Sequence, residues 1–302
     1  MDRKVIQQIA LRTGIQETQI TNTIALLDEG ATVPFISRYR KERTGSLDEV
    51  QVEAIKTEKE KMEDLLKRKE TILNTIQEQN ALTPELKKRI DDCFDSTELE
   101  DIYLPYKPKR RTRAMIAREK GLEPLAKILM KQAEYNIERR AESFLNDQVE
   151  TVEDALAGAR DIIAEWVNEN EKARAIVRRA FDSVAMITSK VVKGKEEEAA
   201  KFSDYFDWAE PLRKCPSHRL MAMRRGENEG FLRVTISPEN DEVVQRLNRF
   251  FIHSSNACAE QLELAVADAY KRLLEPSIET EFANLSKEKA DEEAIRVFAD
   301  NL

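Results

Sequence analysis

Glycine and proline are scarce, eight and nine among 302 residues. A fold resting on frequent tight turns is therefore excluded, and with it collagen-like, low-complexity and β-sandwich organisations. No apolar run approaches the roughly 18 residues that span a bilayer, and the opening MDRKVIQQIALRTG alternates polar and apolar residues where a signal peptide needs an apolar core. A soluble, cytoplasmic protein with no membrane partner is expected. The three cysteines, Cys93, Cys215 and Cys258, are an odd number spread far apart, which argues against a disulfide framework and for reduced, partly buried thiols. Of the two histidines, His218 lies near Cys215 and His253 near no other Cys or His. Two ligands do not complete a tetrahedral zinc shell, so no metal site and no cofactor are expected. Lys193-Gly194-Lys195 lacks the glycine spacing of a phosphate-cradling loop and reads as a loop feeding a helix that opens on Glu196, Glu197 and Glu198. With no nucleophile motif either, no enzymatic activity and no catalytic residue are expected.

What the chain has in abundance is charge. Charged residues make up 35% and apolar residues 41%, enough core for two or three compact units with much solvated face. The net charge of −8 repels a polyanion at long range, but the distribution is uneven. Residues 84–101 hold seven acids against three bases; residues 103–120 then hold seven bases (Lys107, Lys109, Arg110, Arg111, Arg113, Arg118, Lys120) against Glu119 alone. A second basic knot is Arg38, Arg40, Lys41 and Arg43.

Helical punctuation dominates the chain. Val5, Ile6, Ile9 and Ala10 share one helix face, Thr13-Gly14-Ile15 breaks it, and Ile20, Ile24 and Leu27 define a second helix. The pattern resembles a helix-turn-helix, yet the second helix offers Gln16, Glu17, Thr18, Gln19, Thr21 and Asn22 and no Lys or Arg, which favours a structural role over DNA reading. From Leu47 to Gln79 neither Gly nor Pro interrupts a narrow apolar stripe, predicting one long helix whose far end carries something separate. Thr83-Pro84, Thr97 with Glu100, and Gly121 before Pro124 read as helix starts and stops, so 71–132 is expected to be a small inserted helical subdomain and 1–70 plus 133–302 the main body. Residues 152–168, 171–185, 256–274 and 287–301 read as further helices, and FLRVTI at 231–236 as the one convincing strand. The expected class is mainly α and multi-helical, with a helix-turn-helix-like N-terminus, one long helix and at most a minor β element near 231–236.

Four blocks, GATVPFISRYRKERTG (30–45), LEDIYLPYKPKRRTRAMIAREKGLEPLA (99–126), VVKGKEEEAAKFSDYF (191–206) and PSHRLMAMRRGENEG (216–230), together with AGARDIIAE (157–165), resemble the N-terminal region of the bacterial Tex family of transcription accessory proteins. The resemblance implies a helical module associated with nucleic acid, RNA or DNA, and with the transcription machinery. It also implies a longer chain whose ribonuclease-H-like, helix-hairpin-helix and OB-type RNA-binding domains are missing here, so the end at Val297–Leu302, without a glycine cap, reads as a boundary within or just after a helix. The strongest candidate contact is the stretch from Tyr103 to Arg113. Two prolines hold it extended, Lys107, Lys109, Arg110, Arg111 and Arg113 suit phosphates, and Tyr103 and Tyr106 suit unpaired bases. The alternative is that both tyrosines are core anchors and the bases pair with acids inside the protein. Arg38, Arg40 and Lys41, beside Tyr39, repeat the chemistry on a smaller scale and fit mixed packing and interdomain pairing. Two functions remain open: a nucleic-acid-associated transcription accessory module, or a helical scaffold for protein partners or the remaining domains of its own chain.

Overall fold

The computed structural model describes residues 2–300, with side chains through 294. Two compact units divide at Pro108 and Lys109, each with its own apolar core. The division runs through the segment 71–132, which was expected as one inserted subdomain.

The first unit is all helical: α1 (Arg3–Thr13), α2 (Glu17–Asp28), α3 (Val33–Tyr39), α4 (Lys41–Thr44), α5 (Glu49–Glu78), α6 (Pro84–Asp92) and α7 (Ser96–Tyr103). Asp48 opens α5 by accepting from Gln51 N–H at 2.8 Å while Gln51 Oε1 accepts from Asp48 N–H at 3.1 Å. The apolar stripe then holds for the 30 residues of the helix, burying Val52, Ile55, Met62, Leu65, Ile72 and Ile76. Lys69 lies in the same stripe. Its ammonium is 4.3 Å from the Phe94 ring and donates to the Asp91 carbonyl at 2.8 Å, while burial pushes its pKa down. Asp91 and Phe94 belong to the returning chain, which brings α6 and α7 back onto α5. Leu86, Ile90, Leu99 and Ile102 thereby join the core formed by α1 to α5. Thr83 caps α6 as expected, but α7 is capped by Asp95, accepting from Glu98 N–H at 2.8 Å, which leaves Thr97 inside the helix.

The second unit comprises α8 (Arg113–Glu119), α9 (Glu123–Lys131), α10 (Ile137–Glu142), α11 (Val152–Glu169), α12 (Glu171–Val184), β1 (Met186–Val191), β2 (Asp207–Pro211), α13 (Ser217–Asn228), β3 (Leu232–Ser237), α14 (Asn240–Phe251), α15 (Ala257–Ala269) and α16 (Glu275–Asp300). Helix α11 is its axis, burying Ala155, Leu156, Ala159, Ile162, Ile163, Ala164 and Val167, and packing against α8, α9, α10, α12 and α15. Gly158 lets the turn between α8 and α9 approach, because a methyl at that position would collide with Leu122.

The strand expected at 231–236 is β3, but it is one of three, in the antiparallel order β2-β1-β3. The free edge of β3 is closed by carboxylates: Glu227 accepts from Val234 N–H at 3.3 Å and Glu279 from Ile236 N–H at 2.8 Å. Between β1 and β2, Gly194 makes a left-handed turn (φ 85°) and the acids that follow lie in turns leading to a 3-10 segment, not in the α-helix expected there. The C-terminal helices expected at 256–274 and 287–301 are not separate: a π-helical turn, Tyr270–Leu274, falls inside the first, α16 runs on from Glu275 through the expected gap, and Pro276 follows the turn by one residue, where the regular hydrogen-bond ladder is already interrupted. Residues 301–302, where the chain end was read as a boundary, lie outside the described residues. No described helix is long and apolar enough to cross a membrane.

Candidate nucleic-acid interface

The Tyr103–Arg113 stretch straddles the division between the units, and its residues split between internal contacts and the surface. Tyr103 ends α7 at 5% exposure; the Arg68 guanidinium lies 5.2 Å over its ring and forks onto Glu100 at 2.6 and 3.0 Å. A ring so enclosed presents no face to a nucleobase, which corrects the stacking role expected for it. Tyr106 is half-buried against the same core, and its carbonyl accepts from Gln79 at 2.8 Å. Lys107 is exposed.

In the second unit, the bases split into two sets. The Lys109 ammonium contacts Glu169 and lies 3.5 Å from Glu165; Arg118 donates to Glu165 at 2.7 Å, and the Thr112 hydroxyl at 3.1 Å. Thr112 also caps α8, accepting from Met115 N–H at 3.1 Å, so a single buried carboxylate on α11 fixes the start of α8. Burial pushes the Glu165 carboxyl up, but the Arg118 hydrogen bond and the Lys109 charge outweigh it, leaving the pKa below the ordinary value. Glu169 shares Lys109 only and lacks Arg118 as a hydrogen-bond donor, so burial prevails and its pKa is raised. The two directions agree with geometry: Glu165 is the principal acceptor. Arg111 pairs with Glu119 at 2.8 Å on the surface. Arg110 is exposed and, among the described residues, forms no ion pair; Arg113 is exposed too, but its charge acts on the Asp161 carboxylate.

The Arg38–Arg43 knot has a different setting. Helix α3 buries Val33, Ile36 and Ser37 and turns Phe35, Arg38 and Tyr39 outward. Phe35 and Tyr39, four residues apart, are 40% and 65% exposed, with ring centroids 5.5 Å apart and tilted by 42°. The Arg40 guanidinium lies 5.1 Å from the Phe35 ring centroid. Arg38 and Lys41 are exposed and form no ion pair among the described residues; Arg43 lies 3.6 Å from Glu29. Sequence reading passed over Phe35, although its i, i+4 spacing to Tyr39, opposite Val33 and Ile36, was the available signal.

Helix α2 supplies the support. Gln19 donates to the carbonyls of Thr44 and Gly45, each at 3.1 Å, and Asn22 to that of Arg43 at 2.9 Å. Gly45 closes α4 at φ 66°, where a Cβ would also press on Gln19. The glycine turn between α1 and α2 is present, with Gly14 at φ 71°, but two polar side chains that a DNA-reading helix would offer to bases are spent on holding α4.

Residues 132–298, more than half of the chain, match the Tex central region-like family, and residues 3–77 match the Tex-like protein N-terminal domain. The chain belongs to the Tex family. It is 41% identical to the transcriptional accessory protein Tex of Neisseria gonorrhoeae and 43% identical to protein YhgF of Escherichia coli K12, each across 94% of this chain and 38% of the relative. It is 27% identical to the human S1 RNA-binding domain-containing protein 1, across 100% of this chain and 32% of the relative. The chain thus spans about two-fifths of the length of its bacterial Tex relatives. The N-terminal domain match contains α3 and α4, whereas the stretch 103–113 falls between the two matched regions.

Proposed function

We propose that this chain is the nucleic-acid-associated helical module of a cytoplasmic transcription accessory factor. The observation that carries the reading is the set of exposed bases that form no ion pair among the described residues and have no carboxylate beside them: Arg38 and Lys41 next to an exposed aromatic pair, Lys107 and Arg110. Such charges are available to neutralise phosphates, whereas Lys109 and Arg118 are not. The names of the gonococcal and human relatives support the reading. The module carries out no hydrolytic or nucleotidyl chemistry of its own. Its thiols are poor nucleophiles, since burial pushes Cys93 and Cys258 up and burial with the neighbouring Glu210 carboxylate pushes Cys215 up to about 12.

Titration of labelled single- and double-stranded RNA and DNA at two salt concentrations tests the proposal. Weak binding that falls steeply with salt supports it; no binding at low salt overturns it. The latter result would favour the scaffold reading, which has its own observation in the internal pairing of Lys109, Arg111 and Arg118.

A further inference from the structure

The aromatic pair on α3 runs against ordinary burial. The helix places the aliphatic Val33 and Ile36 in the core and leaves the two largest apolar side chains, Phe35 and Tyr39, in water. Neither ring is idle by accident of a loose loop. Pro34 sits in the first turn of α3, Ile36 is completely buried, and α4 behind it is held by Gln19 and Asn22. One neighbour of Phe35 is the Arg40 guanidinium and another is Tyr39, so the inner part of the cluster is occupied. Tyr39, at 65% exposure, is the ring with area to offer, and its flanking charges Arg38 and Lys41 have no acid to satisfy them among the described residues.

The geometry points to α3 as a stacking platform for one unpaired nucleobase on Tyr39, with Arg38 and Lys41 holding the adjoining phosphates. The occupant is single-stranded nucleic acid, because a base inside a duplex is already stacked and does not present its face, and because the outward surface pairs π-area with uncompensated positive charge. A protein partner chosen for apolar contact alone would leave Arg38 and Lys41 unpaired. This inference rests on the nucleic-acid reading above and names the kind of strand and the residue that selects it. The Tyr103–Arg113 stretch, richer in the same residue types, lacks the property: Tyr103 is enclosed and Tyr106 half-buried.

Binding of this chain to fluorescent oligo-dT and oligo-rU of about 12 nucleotides, and to a duplex of the same length, tests the assignment at low salt. Tyr39→Ala should weaken single-strand binding by about 5- to 100-fold and leave duplex binding unchanged, since base–aromatic stacking carries that share of affinity. Tyr39→Trp should retain affinity and add an indole whose fluorescence is quenched by the single strand. Arg38→Ala with Lys41→Ala should weaken both single strand and duplex. Tyr39 is exposed, so an unchanged melting temperature shows that each variant is folded. If Tyr39→Ala binds single strands like the parent, or loses single strand and duplex alike, the stacking assignment is overturned while the nucleic-acid reading stands. If the parent binds neither probe, both fall.

Discussion

The stretches 38–43 and 103–113 carry similar chemistry in sequence, tyrosine among arginines and lysines, and the structure places their tyrosines and most of their paired bases differently. In the longer stretch Tyr103 is a core residue and Lys109, Arg111 and the nearby Arg118 face carboxylates. In the shorter knot the ring is out, and Arg38 and Lys41 have no such partner among the described residues. A count of bases therefore does not measure available charge. What decides is whether the fold brings an acid to them. Glu165 and Glu169, on α11 nearly sixty residues further along, do so for Lys109; nothing among the described residues does so for Arg38.

The largest effect that separates the two regions is on stability. Glu165→Ala removes the hydrogen-bond acceptor of Arg118 and Thr112, while Arg118 keeps Glu123 at 3.5 Å and Lys109 keeps Glu169, a loss of about 1.5–3 kcal/mol. In the second unit this should lower the melting temperature by about 3–12 °C at roughly 2–4 °C per kcal/mol. Arg38→Ala with Lys41→Ala, on the surface, should stay within about 0.5 kcal/mol of the parent in the same denaturation experiment. If both variants melt alike, the contrast between a seating cluster and an open one is broken.

Acid should reach the second unit through the same carboxylate. The folded-state pKa of Glu165 lies below its ordinary value, so its stabilisation is present above the unfolded value of about 4.3 and is lost as pH falls through the lower folded value. Glu169 has the opposite sign. Its raised pKa makes the charged form a cost near neutrality, so Glu169→Gln should destabilise far less at pH 7 than Glu165→Gln. Chemical denaturation across pH 3–7 checks both. A Glu165→Gln variant that keeps the parent's acid dependence would remove Glu165 as its source.

Smaller effects belong to nucleic-acid binding. Double replacement of Arg110 and Arg111 by Ala should flatten the salt slope by about one unit instead of two, because only Arg110 is unpaired. A flattening of about two would show that Arg111 leaves Glu119 when a phosphate is offered. Smallest of all is Arg111→Ala on stability, within about 0.5 kcal/mol, since the Arg111–Glu119 pair is solvent-exposed.

Local signals carried far in this chain. The uninterrupted stripe over 47–79 marks α5 nearly to the residue, Thr151 opens α11, and the alternation of FLRVTI marks β3. Each follows from periodicity or from a side chain within a few residues of the backbone group it satisfies. Strands β1 and β2 escaped because their signals are weak. MITSKV mixes alternation with a lysine and small polar residues, and DWAEP is short and ends in proline; they are strands because β1 pairs on both sides. The candidate interface was legible as a set of residue types, not as an exposed surface.

By itself the sequence determined the helical class, the long helix, some of the caps, the glycine turns and the family, because these depend on neighbours along the chain or on ordered blocks of residues. Only the tertiary structure decided that 71–103 folds back onto α5 while 109–132 joins the core around α11, that Lys109 and Arg118 meet Glu165, and that Phe35 and Tyr39 point outward. Those outcomes depend on which apolar face wins burial against distant partners and on which acid arrives beside a base. Both are settled by packing between residues tens of positions apart, for which local spacing carries no signal.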